Sequence, residues 1–164
     1  MLSGWFYVDW LSEFFRTVAR NDSEACFDVI TRDCPDAVRE AVDPDGTLDQ
    51  RLDVYSSRPE EIHTAIQRLK ACVMFYAGGQ VSEMGRSPTR LGEALACGVP
   101  VVGNRGVGDL AHLIEANQIG VLAERPESDA MRDTYEKLST LLQDPDLCAR
   151  CRRTAEEHYD LDRG

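Results

Sequence analysis

The stretch Ser87-Pro-Thr-Arg-Leu-Gly-Glu-Ala-Leu-Ala-Cys-Gly-Val-Pro-Val-Val102 decides the architecture. Its first half is punctuated as a helix. The Ser87 hydroxyl can accept from an orphan amide of the first turn. Pro88 falls at the first helical position, where its missing N–H costs nothing. Gly98 lies just past the end, where a left-handed residue closes a helix without strain. These marks predict a helix over 87–97. The second half, 99–102, reads as a strand, with Pro100 near its start where a lost donor is tolerated. Upstream, 72–77 (Cys-Val-Met-Phe-Tyr-Ala) is apolar at every position. A strand without a polar face is covered on both sides, as in a parallel sheet.

Working outward, the same alternation continues. Residues 7–21 predict an amphipathic helix, with Leu11, Phe14, Phe15, Val18 and Ala19 at i, i+3, i+4 spacing. A short β run at 26–31 precedes a helix over 35–42 with Pro35 near its start. The acidic stretch 43–50, with Pro44 and Gly46, reads as a surface loop. A strand at 52–55 leads to a helix opened by Pro59, with Ile62, Ala65, Ile66 and Leu69 on one face. After the strand at 99–102 come a glycine-rich turn at 103–108, a helix at 109–117 and a last strand at 119–123. Helices over 128–143 and 145–159 close the chain, Asp144 being placed to cap the second. Alternation of this kind implies an α/β fold: a doubly wound, mostly parallel, Rossmann-like sheet with helices on both faces. The length suits one domain, 1–164. Ligands of such sheets sit at the strands' carboxyl ends, here the loops near 3–4, 31–35, 56–59, 78–88 and 103–109. Only Met1-Leu2 stands for a strand before the first helix. An unfilled sheet position is therefore expected, with Trp5, Trp10, Phe14 and Phe15 poorly covered.

Composition narrows the partners. Acidic residues number 29 against 18 basic ones, a net charge of -11 spread along the chain. That balance excludes nucleic acid and anionic membrane surfaces as expected partners, since both need clustered Lys and Arg. No apolar run approaches the ~20 residues of a membrane span, and the start lacks a basic signal-peptide region. A cytoplasmic location and reduced thiols are expected for the six cysteines. Cys148-Ala-Arg-Cys151 is a lone CxxC in a helical stretch with no second pair at zinc spacing, so it is read as structural and no metal is expected. His63, His112 and His158 read as structural or surface residues. Trp5 and Trp10 read as core or domain-interface anchors.

The chemistry concentrates at 82–108. Arg86 and Arg90 lie in or beside the first turn of the 87–97 helix, after a glycine-rich strand end. Free N–H groups and the helix dipole favour an anion there, and two cations oppose that dipole unless an anion sits between them. Glu93 lies further along, opposite the apolar face of Leu91, Ala94 and Leu95. A carboxylate at the mouth of a phosphate site can accept from ribose hydroxyls. The plainer reading is a solvated helix with an i, i+3 pair between Arg90 and Glu93. Gly92 costs the helix about 1 kcal/mol relative to Ala, so something approaches closely there, either a ligand or packed structure.

The run 87–102 resembles the donor-site signature of GT-B glycosyltransferases of the family 4, or group 1, type, where many members read S-P-T-K-L-G-E-x-L-A-x-G-x-P-V-V. Gly106-Val-Gly-Asp109 resembles the loop that follows in that family. Ser3-Gly4-Trp5-Phe6 resembles the glycine loop after the first strand of its C-terminal domain. Arg58-Pro-Glu-Glu-Ile62 resembles the stretch before the helix near the nucleotide base. The resemblance implies a C-terminal, donor-binding domain for a nucleotide-diphosphate-sugar. Ser3, Gly4, Thr89 and Arg90 then match diphosphate contacts and Glu93 the ribose contact. Arg58 and Pro59 match base contacts, and Glu83, Gly85 and Ser87 sugar contacts. It implies no bound metal or cofactor, and a retaining habit. Leaving-group charge would be met by the helix dipole, amides and basic side chains. The chain departs from the pattern where many members carry a first Glu, eight positions before Glu93; here that residue is Gly85, with Glu83 the nearest acid. The Arg and Lys that often follow the first glycine loop are also not seen after Ser3-Gly4, with Arg32 a candidate to lie nearby. An N-terminal acceptor domain, the usual source of a catalytic base, is not part of the sequence. Transfer is therefore expected only with such a domain supplied by a partner chain. The competing readings are a non-catalytic nucleotide or nucleotide-sugar module, a truncated inactive product, and an unrelated doubly wound domain such as a receiver. A receiver needs acids clustered at strand ends, and the sequence offers no convincing set.

Overall fold

The computed structural model describes residues 6–77 and 89–160. In chain order they form α1 (Val8–Asn21), β1 (Phe27–Ile30), α2 (Pro35–Val42), a 3-10 turn (Asp49–Arg51), β2 (Leu52–Tyr55), α3 (Ile62–Ile66), β3 (Cys72–Met74), α4 (Thr89–Ala96), β4 (Val101–Asn104), α5 (Leu110–Asn117), β5 (Gly120–Ala123), α6 (Ser128–Leu141) and α7 (Leu147–His158). Every ladder between these strands is parallel. The α/β class and the alternation read from the sequence therefore hold.

The single expected sheet is in two pieces. β1 pairs with β2, from Phe27–Leu52 to Ile30–Tyr55, and a second sheet runs in the order β3-β4-β5. Backbone polar groups alternate sides along a strand. The Thr31 N–H donates to the Tyr55 carbonyl at 2.9 Å, so Phe27 and Val29 also face β2 while Asp28 and Ile30 face away. The Cys72 N–H donates to the Pro100 carbonyl at 2.9 Å, so Val73 faces away from β4. No described strand joins these two outward edges. Beyond the end of β3, Phe6 makes an antiparallel bridge to Tyr76, and the Tyr7 N–H donates to the Phe75 carbonyl at 2.9 Å.

α1 spans the break. Phe14 meets Phe75 edge-on at 5.9 Å between ring centres, and Phe15 lies 4.6 Å from Phe27, so one helix touches β1 of one sheet and the residue just past β3 of the other. Phe14 is 2% exposed and Phe15 6%. The expectation that both would be poorly covered is thus overturned: large rings reach across a gap that backbone pairing leaves open, each burial contributing about 1.5–3 kcal/mol. Trp10 is half-buried against Tyr7 and Phe75. Trp5 lies outside the described residues.

Neighbouring residues of β4 separate the two cores. Val102 belongs to the cluster built on α1 and α6, and Val101 to the one built on α4, α5 and α7. Helices therefore cover both faces, as period-2 alternation in a doubly wound sheet requires. Three local expectations need correction. The 43–50 loop is anchored rather than merely solvated. The Asp43 carboxylate, itself buried, accepts from the Thr47 N–H at 3.0 Å, the Thr47 hydroxyl at 3.1 Å and the Leu48 N–H at 3.0 Å, and Leu48 is fully buried. The helix expected from Pro59 shortens to Ile62–Ile66, because 58–61 form a turn. Asp144 does not cap α7 directly; the N-cap is Asp146. Asp144 instead accepts from the Asp146 N–H at 2.9 Å and from Arg150 at 2.8 Å. Those two bonds hold its carboxyl below the usual carboxylate range.

Candidate functional site

The site is built on α4 and the strand ends beside it. α4 stops on a double closure. The Gly98 N–H donates to the Leu95 carbonyl at 2.8 Å and the Val99 N–H to the Ala94 carbonyl at 3.0 Å. Gly98 has φ +79°, the left-handed geometry such a closure needs. The helix is thereby fixed to the start of β4. Leu91, Gly92, Ala94 and Leu95 are buried, while Thr89, Arg90 and Glu93 are exposed. Among the described residues no ion pair joins Arg90 to Glu93, so the i, i+3 pairing of the plainer reading is not formed. By contrast Arg16, Arg20, Arg58, Arg105, Arg125 and Arg150 all sit in ion pairs. The first turn of α4 carries no acid of its own to offset Arg90 at the positive helix pole.

Beside α4, the chain past β3 is held by a side chain that acts as backbone. Asn104, 2% exposed at the end of β4, accepts from the Tyr76 N–H at 2.8 Å. Its amide nitrogen donates to the carbonyls of Tyr76 at 2.9 Å and Arg105 at 3.0 Å. This is why the strand expected over 72–77 ends its ladder at Met74 yet continues extended. The Tyr76 ring tilts onto Phe6 at 5.0 Å. Burial, above all, pushes the Tyr76 phenol up to about 12; Arg90 acts to lower it, while Tyr159 and Glu93 raise it. Sequence reasoning missed Tyr76, Asn104 and Tyr159. Asn104 had a signal: an amide ending the apolar run Val-Val-Gly-Asn must find partners if buried.

The remaining site residues fall elsewhere. Ser3, Gly4, Glu83, Gly85 and Ser87, with Arg86, lie outside the described residues. Arg58 and Pro59 line a cleft of about 570 Å³ with Arg32, Ser56, Ser57 and Glu61, where the chain leaves β1 and β2. Arg58 is turned toward Glu61, with Glu60 at 3.9 Å. These exposed pairs contribute little and can open to a ligand. The loop 106–109 enters α5 through Gly106 and Gly108, both at positive φ. Among the described residues no group of three or more His, Cys, Asp or Glu could hold a metal ion. None of their helices is long and apolar enough to cross a membrane.

Three buried protons make stability sensitive to base. Burial first, then Cys97, raises the Cys72 thiol from its ordinary 9.0 to about 12. Burial first, then Cys148, raises Cys151 from 9.0 to about 11. Tyr76 rises from 10.0 to about 12. A raised acid keeps its proton in the fold after the unfolded chain has lost it, so the unfolded state binds fewer protons and stability falls as pH climbs. The contribution is intact below pH about 9 and is lost towards pH about 11–12. Thermal melting under reducing conditions should show a lower Tm at pH about 10.5 than at pH about 8. An unchanged Tm would count against these burials.

The profile of the family described as "Glycosyl transferases group 1" matches residues 47–158. The chain belongs to this family. No curated protein sequence matches it. Among solved structures, this glycosyl transferase chain resembles WaaG, a glycosyltransferase involved in lipopolysaccharide biosynthesis, with a TM-score of 0.65 at 18% identity, over 94% of this chain and 39% of that one. It also resembles S. aureus TarM, solved as a variant in complex with fondaparinux, α-GlcNAc-glycerol and UDP, with a TM-score of 0.67 at 20% identity, over 95% of this chain and 30% of that one. The group 1 chain thus shares the GT-B domain fold and spans 39% and 30% of the length of these structures.

Proposed function

We propose that this chain is the donor-binding half of a glycosyltransferase that takes sugar from a nucleotide-diphosphate-sugar. The observation that carries the reading is Arg90 and Glu93, both exposed and not paired to each other, on the first turns of α4 within a group 1 sequence. A diphosphate at the start of α4 would relieve the clash between Arg90 and the helix pole. Thr89 stands beside it. The Glu93 carboxylate, about one turn further, would accept from the ribose hydroxyls. The cleft at Arg58 and Pro59 suits the base. As the sugar leaves, charge builds on the diphosphate, and Arg90 with the α4 amides stabilises it in place, without rearrangement. The acceptor would be held by a second domain.

UDP, GDP and ADP titrated separately into the protein should show saturable heat with at least one. Glu93→Ala should weaken that nucleotide about tenfold, the scale of a lost hydrogen bond to a charged group. Identical isotherms for both proteins would remove the ribose role. With a radiolabelled UDP-sugar, the purified chain alone should release no free or transferred sugar. Steady turnover would refute its dependence on a second domain.

A further inference from the structure

Gly92 has a structural partner that the motif alone does not reveal. A β-carbon on residue 92 would stand 2.8 Å from both Cδ1 and Cγ of Tyr159 and 3.2 Å from its Cβ. The Tyr159 ring therefore lies directly on the α4 backbone, one residue before Glu93 and two after Arg90. Tyr159 closes α7, its N–H donating to the Ala155 carbonyl at 2.8 Å. α7 is seated on α4 through Leu147, Cys151 and Ala155 against Leu91, Ala94 and Leu95. The last described helix thus ends with an aromatic plane against the one helical residue that has no side chain to keep it away.

We propose that Tyr159 is a positioning residue for the nucleotide site: its ring, seated on Gly92, sets the height and rotation of α4 and so the placement of Arg90 and Glu93, which flank that glycine on the exposed side of the helix. This rests on the donor-binding reading above and assigns Gly92 its role within it. The glycine's cost against Ala in a helix is offset by contact with the ring rather than with ligand. Without the ring, α4 keeps its closure at Gly98 but loses the stop at its middle. Displacements of about 1 Å at a binding group are enough to cost large factors in function.

The test is a double-substitution cycle on Gly92 and Tyr159, read by calorimetry with whichever of UDP, GDP and ADP the wild-type chain binds best. Tyr159→Ala should weaken binding about tenfold or more, and Tyr159→Phe, which keeps the ring, should stay within about twofold. Gly92→Ala should also weaken binding about tenfold, because its methyl meets the ring. The pair Gly92→Ala/Tyr159→Ala should bind no worse than Tyr159→Ala alone, since the ring that the methyl would strike is gone. Tyr159→Leu keeps apolar burial without the plane and replaces Tyr159→Ala should that variant not fold. It should show the same weakening with little change in Tm. Wild-type affinity in Tyr159→Ala or Tyr159→Leu overturns the proposal, and so do losses that simply multiply in the double variant. If the wild-type chain binds none of the three nucleotides, the donor-binding reading itself has failed and this role fails with it.

Discussion

Asn104→Leu should destabilise the protein more than any substitution on its exposed faces. Leucine repeats asparagine's branched outline and is bulkier, so no cavity opens. What is lost is the bridge: one acceptor for the Tyr76 N–H, and donors to the Tyr76 and Arg105 carbonyls. Each of the three groups left without a partner costs about 1–3 kcal/mol, so the loss should be roughly 3–9 kcal/mol. Against a typical total of about 5–15 kcal/mol, that is a large share. Urea unfolding would show it as a lower midpoint at an unchanged slope, because the surface exposed on unfolding is the same. Asn104→Asp separates the parts: it keeps the acceptor and loses the donors, while burying a charge. Both variants should melt well below wild type. A loss under about 1 kcal/mol for Asn104→Leu would show that water or a local shift satisfies Tyr76 instead.

The same residue shows what a sequence can and cannot reveal. Strand and helix positions follow from periodicity and punctuation, which are local, so α2 and β2 fall on the residues expected. Gly98 was legible because only a left-handed residue closes a helix that way, and it does so here at φ +79°. The break between β1 and β3 was visible as a shortage of strand, but its consequence for Phe14 and Phe15 was not. Their cover comes from Phe75 and Phe27, far away in the chain, and no local pattern encodes that contact. Gly92 posed a question that sequence could state but not answer. A glycine inside a helix says that something comes close, and only the fold shows that it is Tyr159. Arg90 and Glu93 were legible as site candidates through their motif. That they stay apart instead of pairing depends on side-chain direction, which spacing alone leaves open.

Arg90→Glu should then move affinity and stability in opposite directions. Arg90 occupies the first turn of α4, where a cation opposes the dipole and the turn itself carries no acid. A glutamate there complements the pole, so the free protein should gain about 0.3–1 kcal/mol and melt slightly higher. The nucleoside diphosphate sees the reverse. It loses a charge-assisted hydrogen bond of about 1.5–3 kcal/mol and meets a like charge, so binding should weaken roughly 100-fold. The loss should belong to the phosphates: affinity for the bare nucleoside should be unchanged within about twofold. Raising salt should weaken nucleotide binding to the wild type and slightly strengthen the weak residual binding of the variant, because it screens an attraction in the one and a repulsion in the other. A surface arginine of no function would give the stability gain without the loss of affinity. An arginine needed only for the fold would lose both together. Opposed signs distinguish a residue placed against its own helix for the sake of an anion.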